Sequence, residues 1–167
     1  MGEILIRPAQ VGDADAIARV LVDGWRAGYR GLVPDEVLAR LDIEERAARW
    51  RELIPDTTVL VAELDGELAG VVSLAIPARE LDDAAVGEIT VLYVAPERWR
   101  QGLGRALVDA AGAELRDAGC DVAVLWVFEA NERARAFYGA LGFEPDGARR
   151  PEAGTGVPEV RLRARLD

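Results

Sequence analysis

The chain has 167 residues, half of them hydrophobic, with 20 basic against 30 acidic residues for a formal charge of -10, which suits one folded domain over 1–167 rather than two. So acidic a surface repels phosphate backbones and argues against nucleic-acid binding, while staying compatible with a cationic partner such as an amine. No apolar run approaches the ~20 residues that cross a bilayer, and the charged start Met1-Gly2-Glu3 is not a signal peptide, so no membrane is expected and the expected location is cytoplasmic.

Ile4 to Arg7 read as a first strand closed by Pro8. Asp13 is placed to cap a helix in which Ala14, Ile17, Ala18, Leu21 and Trp25 recur at helical spacing, which makes Trp25 a core residue. Gly28 to Pro34 breaks that helix, and a second follows with Ala47, Trp50, Leu53 and Ile54 on one face until Pro55. Thr57 to Leu64 and Glu67 to Ile76 are strand-like runs joined by Asp65-Gly66, a strong two-residue hairpin signal. Pro77 to Ala85 is an acidic loop and Glu88 to Val94 the next strand. After the turn Ala95 to Gln101, Leu103, Ala106, Leu107, Ala110, Ala111 and Leu115 mark a helix ending near Gly119. Val122 to Phe128 is continuously apolar, as a strand buried on both faces would be. Asn131 can cap a helix with inner residues Ala134, Phe137, Tyr138 and Leu141, and Gly142 suits its C-terminal stop. Phe143 to Arg149 and Glu159 to Leu166 are two weaker strands. The order β-α-α-β-β-β-α-β-α-β-β implies an α/β fold, a mixed and largely antiparallel sheet with helices on both faces.

The residue types narrow the chemistry. The chain has no His and no Lys, one Ser (Ser73) and one Cys (Cys120). No Ser–His or Cys–His nucleophile pair and no Schiff-base lysine can be assembled. A Cys/His metal site is equally excluded, so no metal is expected. Acid–base work falls to Tyr, Asp, Glu, backbone or water. Cys120 reads as a small buried residue.

Where a buried strand becomes a helix stands Pro96-Glu97-Arg98-Trp99-Arg100-Gln101-Gly102-Leu103-Gly104-Arg105. Glycines admit a ligand close to the backbone, and the first helical N–H groups lack internal partners, which together suit a diphosphate. Arg98, Arg100 and Arg105 reverse the local sign of an acidic chain. The bland alternative is a tight turn with arginines facing water. The phosphate loop of nucleotide hydrolases does not fit, because Gly104 is followed by Arg105-Ala106. The dinucleotide fingerprint does not fit either, because Leu107 stands where a small residue is needed.

Leu92-Tyr93-Val94-Ala95-Pro96 with Trp99-Arg100-Gln101-Gly102-Leu103-Gly104-Arg105-Ala106-Leu107 resembles the central acyl-CoA motif of the GNAT superfamily of N-acyltransferases. Asn131-Glu132-Arg133-Ala134-Arg135-Ala136-Phe137-Tyr138, ending Leu141-Gly142-Phe143, resembles its companion motif. The resemblance is strong over 86–143 and looser elsewhere. It implies splayed central strands with an acyl-CoA between them and acetyl-CoA as cosubstrate. Leu92, Tyr93 and Val94 would then lie along the pantetheine arm, with Arg100, Gln101, Gly102, Leu103, Gly104 and Arg105 around the diphosphate and Asn131 near the thiol. The usual Gln or Arg at the first motif position is replaced here by Trp99, so the backbone cradle carries over from the resemblance but the side-chain contact of that position does not.

The resemblance further implies an N-acetyltransferase acting on a primary amine, of a small molecule or a protein, by direct attack. Tyr138 takes the place of the acid that protonates the departing thiolate, while it can also serve as a core aromatic. Glu88 is the candidate base through water, with Asp82 and Asp83 weaker candidates. Leu92 N–H is the candidate donor to the carbonyl oxygen. Tyr29 and Arg30 are the candidate acceptor-binding residues, and Trp50 reads as core first. Dimers are common in the superfamily, so a homodimer is compatible. A noncatalytic acyl-CoA-binding or sensing module on the same fold is the alternative, and an interaction domain without any cofactor a third.

Overall fold

The computed structural model describes residues 2–167, so Met1 of the charged start lies outside it. The chain runs β1 (Ile4–Pro8), α1 (Ala14–Gly28), α2 (Asp35–Ala39), α3 (Ile43–Leu53), β2 (Thr58–Leu64), β3 (Glu67–Ala75), β4 (Val86–Val94), α4 (Leu103–Asp117), β5 (Val122–Phe128), α5 (Glu132–Ala140), β6 (Glu144–Pro151) and β7 (Pro158–Arg165). The described strands form one sheet in the order β1-β2-β3-β4-β5-β7-β6. Within it β4 and β5 run parallel and the other neighbours antiparallel. The mixed, largely antiparallel sheet expected from the element order is what forms.

Helices cover both faces. Gly70 is paired with Val94, and a Cβ built on it would meet Leu107 of α4 at 2.9 Å, whereas a Cβ on Gly24 of α1 would meet the Tyr93 ring at 3.2 Å. Neighbouring residues of a strand point to opposite faces, so α4 and α1 lie on opposite sides of the sheet. The apolar stripe read for α4 is buried through Leu103, Leu107, Ala111 and Leu115, and that of α1 through Ala14, Ile17, Ala18 and Leu21.

Local expectations fail at three places. Asp13 does not cap α1. Its carboxylate takes Arg7 Nη1 at 2.8 Å and the Gln10 amide at 2.7 Å, and a buttressed ion pair outcompetes the cap. Leu53, expected on the inner face of α3, is 46% exposed, while Ala47, Trp50 and Ile54 are buried. The break at Gly28 to Pro34 is followed by the short helix α2, too brief to carry a readable period. No helix among the described residues is long and apolar enough to cross a membrane.

Candidate active site

The centre of the sheet is split. β4 pairs with β5 only from Val86–Val122 to Ile89–Leu125, after which Thr90–Val94 and Trp126–Phe128 have no ladder with each other. Main-chain polar groups left this way need another partner. A cavity of about 1170 Å³ lies over the gap, lined by both strands and by parts of α1, α4 and α5. The split coincides with a bulge. Val91 pairs with Ser73 and Ile89 with Leu74, leaving Thr90 unmatched, its hydroxyl donating to the Ser73 carbonyl at 3.0 Å. In a regular strand Gly87 and Tyr93 would share a face, yet Gly87 lies against Leu115 of α4 and Tyr93 against Gly24 of α1. The extra residue reverses the alternation and brings Glu88 and Tyr93 into one cavity.

The entrance of α4 is open to an anion. Helix α3 is capped by Asp42 accepting from the Glu45 amide, and α5 by Asn131 accepting from the Ala134 amide, each at 3.1 Å. Helix α4 has Gly102 at that position, with φ +89° and no side chain to offer. Among the described residues no protein acceptor takes the amides of Leu103, Gly104 or Arg105. Arg100, itself left-handed at φ 62°, and Arg105 line the cavity beside them. Uncapped amides, the positive end of the helix dipole and two guanidinium groups together make a cradle suited to an anion. Gln101 lies outside the cavity lining, its side-chain amide donating to the Glu97 carbonyl at 3.4 Å, and Leu103 buries its side chain, so these two serve through their main chains. Gly104 is helical, and a Cβ there would stand 3.1 Å from the tip of the Phe137 ring. Its missing side chain admits α5.

Leu92, Tyr93 and Val94 all line the cavity, but the Val94 carbonyl, expected along the pantetheine arm, already accepts from the Trp99 indole at 2.9 Å. The Arg133 guanidinium stacks over that indole, 3.7 Å from its centroid. Trp99 thus replaces a side-chain ligand contact by a bridge between the glycine turn, β4 and α5. Asn131 spends its oxygen on the cap and lines the cavity, so its NH₂ is the group left for a ligand.

The chain's three tyrosines meet here. Tyr29 and Tyr93 share a hydrogen bond at 3.0 Å, and both phenols titrate above the usual range because burial penalises the phenolate. The Tyr138 hydroxyl has no hydrogen-bond partner among the described residues, and burial holds it neutral well above the ordinary phenol range. Glu88 is 2% exposed, which removes the solvated strand-end alternative. Its Oε1 accepts from the Arg79 amide at 3.0 Å and its Oε2 from Arg79 Nη2 at 2.7 Å. Arg30 is exposed and outside the lining, as are Asp82 and Asp83. Trp25 is half-buried and lines the cavity, whereas Trp50 is core. Cys120 is buried with its thiol pushed up by desolvation.

Sequence reasoning missed the arginine pairs of the cavity wall. Arg150 of β6 lies 4.0 Å above the Trp126 ring and reaches Glu159 at 2.6 Å and Glu80 at 2.5 Å. These partners are distant in the chain, so no local pattern announces them. Among the described residues no group of three or more acidic, His or Cys side chains gathers to hold a metal.

Comparison with known proteins agrees with this geometry. The model of the acetyltransferase (GNAT) family matches residues 23–143. An uncharacterised N-acetyltransferase of Bacillus subtilis, YuaI, is 32% identical over 166 residues, covering 94% of each chain. The solved structure of YncA from Salmonella typhimurium, a protein with acetyl-CoA as its cofactor, is 26% identical with a TM-score of 0.72 over 98% of this chain and 94% of that one. The fold is shared at a TM-score of 0.74 with a Thermoplasma acidophilum N-acetyltransferase in complex with coenzyme A, 22% identical, over 98% and 99% of the two chains.

Proposed function

This chain belongs to the acetyltransferase (GNAT) family, and from that premise we propose that it transfers an acetyl group from acetyl-CoA to a primary amine held at the Glu88 end of the split sheet. The observation that carries the reading is the uncapped entrance of α4 beside the unpaired stretch of β4, an anion cradle continuous with free strand edges. The residues fit the cosubstrate: open amides at 103–105 with Arg100 and Arg105 suit a diphosphate, and the free edge of β4 from Thr90 to Tyr93 suits an arm bearing amides.

When bound, the thioester supplies the acyl group. Everything else falls to the chain. Tyr138 keeps its proton and offers it to the departing thiolate. The Leu92 amide is the proposed donor to the carbonyl oxygen. Glu88 is the proposed base, reached through water. Because Arg79 occupies both of its oxygens, a proton taken by Glu88 costs part of that pairing. Tyr29 forms the acceptor wall, and Arg30 takes no part in it.

Coenzyme A release from acetyl-CoA across an amine panel, beside calorimetry with acetyl-CoA, tests the reading. Tight binding and amine-dependent release are expected. Binding without release on any amine would turn the protein into the noncatalytic alternative, and no binding would end the reading altogether.

A further inference from the structure

A second groove, of about 520 Å³, adjoins the split-sheet cavity and shares Arg46, Arg79, Thr90 and Val91 with it. Three polar side chains therefore stand at the junction, and two are already used. Arg79 is held by Glu88, and the Thr90 hydroxyl by the Ser73 carbonyl. Arg46 of α3 is half-buried and has no side-chain hydrogen bond, ion pair or aromatic ring against it among the described residues. Other arginines of the cavity are partnered or belong to the diphosphate cradle: Arg150 with Glu159 and Glu80, Arg133 over Trp99, Arg100 and Arg105 at the entrance of α4. In a chain with ten more acidic than basic residues, a half-buried guanidinium without a carboxylate is conspicuous.

The charges are also segregated. With Arg79 neutralised, the groove presents Arg46 and Arg49 against one carboxylate, Asp56. On the other side of Arg79 the split-sheet cavity carries Glu80, Glu88, Glu152 and Glu159 against Arg79 and Arg150, with Glu80 and Glu159 close enough to Arg79 to hold it charged. Leu53 and Ile76, two of the four large apolar side chains exposed on the described surface, form lips of the groove. The split-sheet side of the junction favours a cation, the groove side favours an anion, and the rim of the groove tolerates an apolar body.

We propose that the acceptor is a primary amine carrying its own carboxylate, and that Arg46 reads that carboxylate at the junction of the two cavities. The proposal rests on the acetyltransferase reading and names the acceptor class for the same site. A guanidinium matches a carboxylate with two parallel N–H donors, and losing one charged partner costs such a pair about tenfold to a hundredfold.

The test compares acceptors that differ only in the anion: ε-aminocaproate against ε-aminocaproamide, and L-methionine against L-methioninamide. The acids should exceed their amides in kcat/KM by about tenfold or more. In Arg46→Gln that ratio should fall toward one while the Kd for acetyl-CoA holds. Arg46→Glu should shift the preference from ε-aminocaproate to hexamethylenediamine, an inversion that mere misfolding would not give. Calorimetry of ε-aminocaproate into the coenzyme A-loaded protein reads the same contact without turnover and should lose its signal in Arg46→Gln. Equal use of acids and amides by the unaltered protein, or an acid preference that survives Arg46→Gln, overturns the proposal and leaves the transferase reading standing. Absence of acetyl-CoA binding, or of transfer to any amine, overturns both.

Discussion

The unpartnered hydroxyl of Tyr138 and its desolvation set what this residue can do. Burial disfavours the phenolate, so the proton stays in place across the working range and is available to a leaving thiolate. Turnover should therefore not decline between about pH 8 and pH 10, close to where a free phenol would ionise. Replacing Tyr138 by Phe should lower kcat by about a hundredfold or more while the Kd for acetyl-CoA changes little. A turnover equal to the parent at all pH values would assign the acid elsewhere. The same burial has a cost to stability at high pH. Tyr29, Tyr93 and Tyr138 all hold their protons more tightly when folded, so the unfolded chain ionises first. Their contribution is complete below the unfolded value near ~10 and is lost as pH rises from there through the folded values. Denaturant midpoints should stay level below that point and fall above it, and the fall should be shallower in Tyr138→Phe.

At the level of elements, what the sequence disclosed was local. Asp65-Gly66 forms its hairpin with φ of 53° and 84°, the two left-handed residues that such a turn demands. Gly142 stops α5 at φ 94°, and the Phe143 amide returns to the Tyr138 carbonyl at 3.1 Å, a helix stop written in one glycine. The glycine turn, Asn131 and Tyr138 were equally legible, because each belongs to a short string at an element boundary. The bulge at Thr90 was not, since nothing within Glu88 to Val94 distinguishes an extra residue from a regular strand. The Arg79–Glu88 pair depends on how the loop folds back, and Arg150–Glu80 joins residues 70 positions apart. Gly104 shows how one residue can serve two ends, its amide at the open helix entrance and its missing side chain against α5. Gly104→Ala should gain helix propensity, about 1 kcal/mol, while its methyl presses on the Phe137 ring. Helix α5 has no fully buried residue, so it can shift rather than unfold the protein. Because α5 carries Tyr138, kcat should fall about tenfold with thermal stability kept and acetyl-CoA affinity little changed. Lost affinity with kcat preserved would mean that the methyl disturbs the cradle rather than α5.

The whole molecule is two half-sheets, β1–β4 and β5–β7–β6, joined directly by the four residue pairs at the base of β4 and β5. A ligand lodged in the split touches both halves and binds the folded state alone, so it must stabilise the entire chain by mass action. At about 100 times Kd the gain is about 2.7 kcal/mol. For a chain of this size that is a rise in Tm of roughly 5–10 °C. The same occupancy predicts a pattern in amide hydrogen exchange. Protection should appear at 90–94 and at 102–105, where main-chain groups facing the split and the helix entrance lack protein partners, and should be weak in β2, which is paired along both edges. Both effects should be present with coenzyme A alone, since the cradle meets the diphosphate rather than the acetyl group. A rise in Tm without protection at 102–105 would mean that the ligand bridges the halves from elsewhere. Protection at 102–105 alone, with 90–94 still exchanging, would place the diphosphate in its cradle but leave the arm outside the split, and transfer at Tyr138 would then require a further closure of α5.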